Sequence, residues 1–359
     1  MKKLSLATAL YLSTAALAFA DSNSLIVTQA SVGAGAPSIN FTQSNSGALA
    51  SVIQNGNDTL TGVQVGTGGT KLNVDQENPT AGAVNTIGYT GRGNSDVTID
   101  QRASNGIFTA SGSAGNTATV DMQGNIAGNP ANKLFVDQVG FNNNAIVYDT
   151  FAGTVAAPLA EGIQVGQYSD KAAAANQLQL QSTGILGGYF LQQNGNKANV
   201  TINGGTQNVS LTQTNTADNA ALANVANITI AGAGFNFTQT GTTNDLEANL
   251  TGSSFNQGLK GFQSGSGNLA TFTQKSVYQD SATGPNTIDQ TGNNNIATAT
   301  QNLGTHDSKF GIFQTGNNDN ATLVQVGTSN VASMTQQGNL NTASLTQSGT
   351  GATATIAQH

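Results

Sequence analysis

The side chains with the most regular spacing in this chain are amides, and the chemistry open to amides is hydrogen bonding. Gln314, Gln325, Gln336, Gln347 and Gln358 recur every eleven residues near the C-terminal end. An amide donates and accepts at once, so identical amides stacked on one another can bond in a continuous ladder. An internal repeat of this kind governs the interpretation of the whole chain.

Residues of the types used in catalysis are few and isolated. His306 and His359 are the two histidines, and neither has the Ser-His-Asp or histidine-metal spacing of a reactive site. The chain has no cysteine, which excludes thiolate metal sites and cysteine catalysis. The sequence therefore predicts a protein that is not an enzyme and needs no cofactor or metal.

Acidic residues recur at one position of the repeat. Asp75, Asp100, Asp137 and Asp289 each stand directly before a glutamine that ends an apolar run. Alternation along a strand places them on the outward face, where we expect their charge to limit premature stacking. The acidic loop repeats of calcium-binding β-rolls are absent, so nothing in the pattern favours calcium at these positions.

The spacing within each repeat predicts the elements that position the amides. Asn330, Ala332, Met334 and Gln336 follow one another in steps of two, which places them on one face of a strand. Small polar residues fill the alternate positions and suit a solvated face. Glycine and asparagine are frequent in the four residues after each glutamine, so each eleven-mer is predicted to be one strand and one tight turn.

One such strand cannot form a core alone, because its inward face carries little apolar surface. Two strands folded face to face can do so when further pairs stack above and below them, each layer rising about 4.8 Å. The predicted fold is therefore all-β: a two-strand-per-coil β-solenoid of stacked strand-turn-strand repeats, about 22 residues per coil, with cross-β, amyloid-type stacking. Ladder bonds then satisfy inward amides, each of which would cost about 1–3 kcal/mol if left unpaired.

The repeat also resembles a known one. The pattern Gln-x-Gly-x-x-Asn-x-Ala-x-x-x-Gln is complete in residues 263–274, 290–301, 325–336 and 336–347. It is similar to the curlin repeat of curli fibre subunits. The resemblance implies a secreted subunit of an extracellular amyloid fibre that serves biofilm matrix and surface adhesion. It also implies self-assembly, and a nucleator, a secretion pore and a periplasmic chaperone as partners.

The residues predicted to carry assembly are the strand-ending glutamines and the asparagines five residues after some of them. The predicted inward ladder consists of Gln29, Gln43, Gln54, Gln76, Gln101, Gln138, Gln213, Gln239, Gln263, Gln274, Gln290, Asn295, Gln301, Gln314, Gln325, Asn330, Gln336, Asn341, Gln347 and Gln358. The predicted turn glycines each follow a glutamine by two residues: Gly140, Gly265, Gly292, Gly316, Gly327, Gly338 and Gly349.

The N-terminal residues have the features of a secretory signal peptide. Two lysines precede a short apolar run, and a small-residue site predicts cleavage between Ala20 and Asp21. Residues 1–20 are thus the predicted signal, and residues 21–359 form a single solenoid. Repeats are regular in 21–76, interrupted by loop insertions in 77–260, and regular again in 261–359. No later segment is apolar enough to predict a membrane span.

Composition agrees with an exported, self-associating chain. The formal net charge of −7 argues against nucleic acid as a partner. Only 8% of the residues are charged, which favours stacking because a charge repeated in register would lie close to its own copy.

A second reading of the same repeats is a soluble β-solenoid, an adhesin or an ice-binding protein whose capped ends keep it monomeric. Thr298 with Thr300, and Thr353 with Thr355, hint at the flat threonine array of ice binders. An enzyme built on a β-helix is less favoured, because no cluster of acids and bases is present. The choice between major subunit, nucleator and ancillary subunit stays open, since repeats begin almost at once after residue 20 and the irregular centre is long.

Overall fold

The structure is a computed structural model. It describes residues 24–30, 38–44, 49–55, 58–65, 71–77, 84–90, 95–102, 115–121, 132–148, 162–181, 188–202, 209–230, 234–249, 251, 258–274, 285–302 and 307–359. The predicted signal peptide and the cleavage residues Ala20 and Asp21 lie outside these ranges.

Nearly all regular structure in these ranges is strand. The first strands are β1 (Ser24–Ala30), β2 (Ser38–Ser44), β3 (Leu49–Asn55), β4 (Thr59–Val65), β5 (Lys71–Glu77), β6 (Thr86–Tyr89), β7 (Ser95–Arg102), β8 (Thr117–Thr119) and β9 (Asn132–Phe135). Then come β10 (Gln138–Gly140), β11 (Asn144–Ala145), β12 (Gln167–Ser169), β13 (Gln177–Leu178), β14 (Leu191–Gln193), β15 (Val209–Asn215), β16 (Val225–Ala226), β17 (Phe235–Thr242) and β18 (Asp245–Leu246). The last are β19 (Leu259–Ser266), β20 (Leu269–Gln274), β21 (Asn286–Asn293), β22 (Ile296–Gln301), β23 (Lys309–Asn317), β24 (Asn320–Thr328), β25 (Val331–Asn339), β26 (Thr342–Thr350) and β27 (Thr353–Gln358). Two short 3-10 helices, Ala172–Ala174 and Ala220–Leu222, lie between strands.

The strands form two facing rows, and the chain alternates between them. Row one is a fifteen-stranded sheet in the order β1-β3-β5-β7-β10-β12-β14-β15-β17-β19-β21-β23-β25-β27, with β9 also paired to β7. Row two consists of two six-stranded sheets, β2-β4-β6-β8-β11-β13 and β16-β18-β20-β22-β24-β26. Lys197 links the two parts of row two, because it bridges to Gln177 and its backbone N–H donates to Asn224.

Every strand pair in the described ranges is parallel, and the repeats pair in register. Gln76 lies beside Gln101, Gln290 beside Gln314, and Gln325 beside Gln347. Two strands per coil, parallel stacking and equivalent residues in contact define a β-solenoid. The fold predicted from the eleven-residue spacing is therefore confirmed.

The core is a thin layer between the two rows. Many of its large members lie two or four residues before a ladder glutamine, as in Phe237, Ile288 and Phe310, all fully buried. Facing strands add alanine, so the two rows can approach closely. Each large buried side chain contributes about 1.5–3 kcal/mol to folding, and every coil supplies its own.

Candidate functional site: two buried amide ladders

Row one carries an unbroken ladder of glutamine side chains from the centre of the molecule to its C-terminal end. Each Nε2 donates to Oε1 of the glutamine one coil further on, over 2.7–2.9 Å. The members, in order, are Gln138, Gln167, Gln192, Gln213, Gln239, Gln263, Gln290, Gln314, Gln336 and Gln358. All except Gln358 are at most 1% exposed, so the ladder runs through the dry interior.

The second hydrogen of these amides points across the coil. Nε2 of Gln290 also donates to the carbonyl of Leu269, at 2.9 Å, and Nε2 of Gln314 to that of Ile296, at 2.8 Å. One amide thus links the next coil and the facing row. Because both donor hydrogens and the acceptor are used, burial of these polar groups carries little desolvation penalty.

The direction of this ladder reverses once. Nε2 of Gln101 donates backwards to Oε1 of Gln76, at 2.9 Å. Oε1 of Gln101 and Oε1 of Gln138 are both buried without a hydrogen-bond partner among the described residues. The interface between β7 and β10 therefore lacks its axial amide bond and is a weak junction in the stack.

Row two carries a separate ladder of asparagines, placed at the residue just before most of its strands. Oδ1 of Asn268 accepts the backbone N–H of Asn295 at 3.0 Å. Nδ2 of Asn295 donates to the carbonyl of Thr291 in its own turn and to that of Gly316 in the next coil. Each asparagine therefore closes one turn and fastens it to the turns of its neighbours.

Many asparagines of the row-two ladder, and two glutamines of the row-one ladder, are not among the residues predicted from the sequence. The unpredicted asparagines are Asn85, Asn116, Asn143, Asn176, Asn196, Asn224, Asn244 and Asn268, all fully buried; the unpredicted glutamines are Gln167 and Gln192. A spacing of five residues from a glutamine marks three of the asparagines, at 138/143, 239/244 and 263/268. Asn176 and Asn224 follow the short 3-10 helices, and Asn85, Asn116 and Asn196 also stand at other intervals from a glutamine, so a spacing of five residues does not mark them.

Asp319 occupies an asparagine position of row two. It is fully buried, its N–H donates to Oδ1 of Asn295 at 3.0 Å, and its Oδ1 accepts from the N–H of Asn341 at 2.9 Å. Its Oδ2 stands where an asparagine would present Nδ2, and it has no partner in the described structure. The coil containing Asp319 therefore lacks the turn-to-turn bonds that Asn295 makes.

Three of the remaining predicted glutamines lie on the first three strands, β1, β2 and β3. The backbones of Gln29 and Gln43 are in register with Gln54 and Gln64, while the side chains of Gln29 and Gln43 lie outside the described residues. Gln54, in row one, is buried.

In row two, Gln274, Gln301, Gln325 and Gln347 are buried, and Nε2 to Oε1 bonds join Gln301 to Gln325 and Gln325 to Gln347. Asn330 and Asn341 take the position before a strand, in row one and row two respectively.

The predicted turn glycines lie at strand ends rather than in the turn itself. All seven have positive φ, from 92° at Gly140 to 142° at Gly316. The turn follows two residues later, at positive-φ residues such as Asn318 and Ser329. A Cβ at Gly292 would overlap the carbonyl oxygen of Gly316 in the next coil, so glycine here permits the close approach of coils as well as the backbone bend.

The aspartates before row-one glutamines are less open to solvent than the pattern predicts. Asp100 and Asp137 are buried, because Arg102 bonds Asp100 and the hydroxyl of Tyr168 donates to Asp137 at 3.1 Å. Arg102 also reaches Asp75 at 3.2 Å. Burial raises the pKa of Asp100 to about 6, against the opposing effect of the Arg102 guanidinium. The prediction places these aspartates on the outward face, and at these two positions the side chains of Arg102 and Tyr168 contact the carboxylates there.

The described ranges hold neither a metal-ligand cluster nor a membrane-spanning helix. They contain no group of three or more histidine, cysteine, aspartate or glutamate side chains placed to hold a metal ion. They also contain no helix long and apolar enough to cross a bilayer.

Comparison with known families identifies the repeats at the C-terminal end. The family model of the curlin associated repeat matches residues 316–349 and again 327–359. These segments cover β24 to β27, where the glutamines recur every eleven residues. The resemblance drawn from the spacing is confirmed for this region. A search of curated protein sequences found no significant match to the chain.

Proposed function

We propose, from the premise that residues 316–359 are curlin associated repeats, that this chain is a secreted structural subunit of a curli-like extracellular amyloid fibre. Copies would stack end to end into a homopolymer that serves biofilm matrix and surface adhesion. The chemistry required is hydrogen bonding and apolar burial; the two ladders supply the hydrogen bonds, and the core between the rows supplies the apolar burial.

The observation that carries this proposal is the open end of the stack. β26 and β27 are the last strands of their rows, so each has one unpaired backbone edge. Ala332 and Met334 of β25 are buried, whereas their register partners Ala354 and Ile356 of β27 are half-exposed. A further coil would cover these side chains and pair both edges, which is the driving force for adding strands in amyloid.

The remaining parts of the proposal rest on the sequence. Residues 1–20 as a signal peptide direct the chain to export, and the low charge favours association once it is outside. A curli-type nucleator, secretion pore and periplasmic chaperone are the partners that the repeat family suggests.

The direct test is to incubate purified residues 21–359 and examine them by electron microscopy and fibre diffraction. We expect unbranched fibres with reflections near about 4.8 Å and about 10 Å. A chain that stays monomeric at high concentration and high salt would contradict the proposal.

The ladder itself is tested by replacing Gln325 and Gln347 together with alanine. Fibre elongation should slow, because Gln301 loses its acceptor and the coils lose amide bonds in a dry layer, at about 1–3 kcal/mol per buried group left unpaired. Thr346→Ala, on the outward face of the same strand, is the matched control. Equal elongation rates for the two variants in a thioflavin assay would disprove a role for the ladder.

A second candidate is the soluble solenoid, and one observation favours it. Thr271, Thr298 and Thr322 lie in register on successive strands of row two, beside Thr273 and Thr300. The array extends further than the sequence suggested, over three coils. A monomeric chain that retards ice growth or binds cells would support this candidate over the fibre subunit.

A further inference from the structure

The two ends of the solenoid are not equivalent in their rows. The chain alternates between row one and row two, yet β1 and β27, its first and last described strands, both belong to row one. β27 lies beside β25 in row one, and β26 is the last strand of row two. The next vacant strand position in the alternation is therefore on β26, in row two.

We propose that successive copies in the fibre are joined with their rows exchanged. β1 of the incoming copy pairs with β26 of the preceding one, and β2 pairs with β27. This inference rests on the proposed function, since it specifies the contact through which one copy adds to the next.

The reason is the number of backbone edges that each arrangement satisfies. With rows exchanged, every strand at the junction has a neighbour at the usual spacing of about 4.8 Å. With rows unchanged, β1 would stack on β27, and β2 would lie about two spacings above β26. One edge of β26 and one of β2 would then face an empty strand position, with unpaired N–H and C=O groups beside the core.

The side chains permit the exchange because both rows are built from the same repeat. Leu345 and Gln347 point inward on β26, and Ile356 and Gln358 occupy the same places on β27. On β1, Val27 lies in register with the fully buried Val52, so its side of the strand faces the core. An apolar residue two positions before a glutamine thus meets its equivalent in either row.

The asparagine spacing distinguishes the two arrangements. Asn341 lies six residues before Gln347, and in row two the Oδ1 at this position accepts an N–H from the following coil. Asn23 lies six residues before Gln29, at the same spacing; it is outside the described residues, and the spacing is a property of the sequence. The residue six before Gln358 is Ala352. The first repeat therefore continues the asparagine series only if β1 follows β26.

Row exchange has a consequence for the fibre. Each copy is turned by about half a revolution about the fibre axis relative to the copy before it. Outward-facing residues of one row, such as the threonines of β20 and β22, then appear alternately on opposite sides of the fibre. The axial repeat contains two chains.

Cysteine cross-linking tests the junction, since the chain has no cysteine of its own. Thr28, Thr346 and Ala357 are all exposed, and each lies one residue before a ladder glutamine. Facing residues in neighbouring strands, about 4.8 Å apart, are within the Cα range of a disulfide. In the Thr28→Cys/Thr346→Cys variant, oxidation of preformed fibres should link most chains to a neighbour. The Thr28→Cys/Ala357→Cys variant is the matched control and should give at most a tenth of that yield.

The yields are measured on non-reducing gels after the fibres are dissolved, with mass spectrometry to identify the joined residues. Fibres linked mainly through positions 28 and 357 would overturn row exchange and leave the proposed function intact. Fibres in which neither pair forms would overturn it as well. A wild-type chain that forms no fibres would remove the proposed function and this inference together.

A second pair of variants covers failure of the first to fold. Ile26→Cys/Ser344→Cys should cross-link if rows are exchanged, and Ile26→Cys/Thr355→Cys if they are not. All three positions are exposed on the outward side of their strands. A higher yield for the pair with Ser344 supports row exchange, and a higher yield for the pair with Thr355 contradicts it.

Discussion

The coils at the C-terminal end and those in the centre stack in the same way, but their strands differ greatly in length. β23 to β26 have nine residues each, whereas β11 and β13 have two and β12 and β14 have three. The glutamine ladder nevertheless passes through both regions without a break, from Gln138 to Gln358. The buried glutamines therefore keep successive coils in register even where the paired strands are short.

The two rows also differ from each other in the central coils, because only one of them keeps its glutamines. Row one keeps a glutamine in each coil, at Gln167, Gln192 and Gln213, but row two does not. Ile202 and Ile230 lie six residues after ladder asparagines, where Gln274 lies six after Asn268, and both isoleucines are fully buried. Two neighbouring coils that both carry an apolar side chain here leave no amide unpaired between them, so the cost falls on the glutamine that ends the ladder. Oε1 of Gln274 is buried there without a hydrogen-bond partner in the described structure.

The largest effect is expected from a glycine in the regular coils. Gly292→Ala should destabilise the fold by at least about 2–3 kcal/mol, because φ is 116° and the new Cβ would overlap the carbonyl oxygen of Gly316. Gly349→Ala is the control, since φ is 100° there but no atom lies within 4 Å of the Cβ position. Equal losses in chemical denaturation would show that backbone strain alone matters and that the coils are not tightly spaced.

The difference between the two regions is tested most directly by removing one ladder glutamine from each. Gln192→Ala and Gln314→Ala each leave two buried amides without their ladder partner, at about 1–3 kcal/mol for each amide. Only two residue pairs join β12 to β14, against seven between β21 and β23, so the central variant should open locally and the other should not. Hydrogen exchange would report this as lost protection in 188–202. Equal protection in the two variants would mean that strand pairing carries the centre.

Asp319→Asn should stabilise the C-terminal coils by completing their asparagine ladder. The new Nδ2 can donate to the turn carbonyls, as Asn295 does, and the variant should be more stable by about 1 kcal/mol. Asn295→Asp is the reciprocal control and should be less stable by at least as much. A stability order in which Asp319→Asn is weaker than the wild type would indicate that the carboxylate has a partner of its own.

The smallest effect concerns pH. The pKa of Asp100 is raised to about 6 in the fold, and burial also raises the pKa of Asp245 and Asp289. Protonation therefore stabilises the folded state: for Asp100 the contribution is complete below about pH 3.8 and is lost as pH rises through about 6. Thermal unfolding at pH 5 and 7.5 should show modestly higher stability at pH 5. In Asp100→Asn that difference should shrink, and an unchanged difference would assign it to other carboxyl groups.

Much of this could be predicted wherever the repeat is short and constant. The eleven-residue spacing of Gln314 to Gln358 implies strands, parallel stacking and contact between equivalent glutamines, because a period that is conserved in sequence is conserved in position along the stack. Gln213 and Gln239 could be predicted as ladder residues despite the long intervals between them, since the strands that contain them keep their local pattern. Gln167 and Gln192 were not found, because their strands are too short to show alternation.

Alternation along each strand, the equivalence of the repeats and the stacked amides of the regular coils follow from the local sequence, since they depend on neighbours a few residues apart. Contacts between distant segments follow from the tertiary fold. It placed Asn143 and Asn176 beside each other across 33 residues, reversed the ladder between Gln101 and Gln138, and buried Asp100 behind Arg102. It also put β1 and β27 in the same row, because the parity of a stack is the sum of every turn along the chain and no local pattern records it.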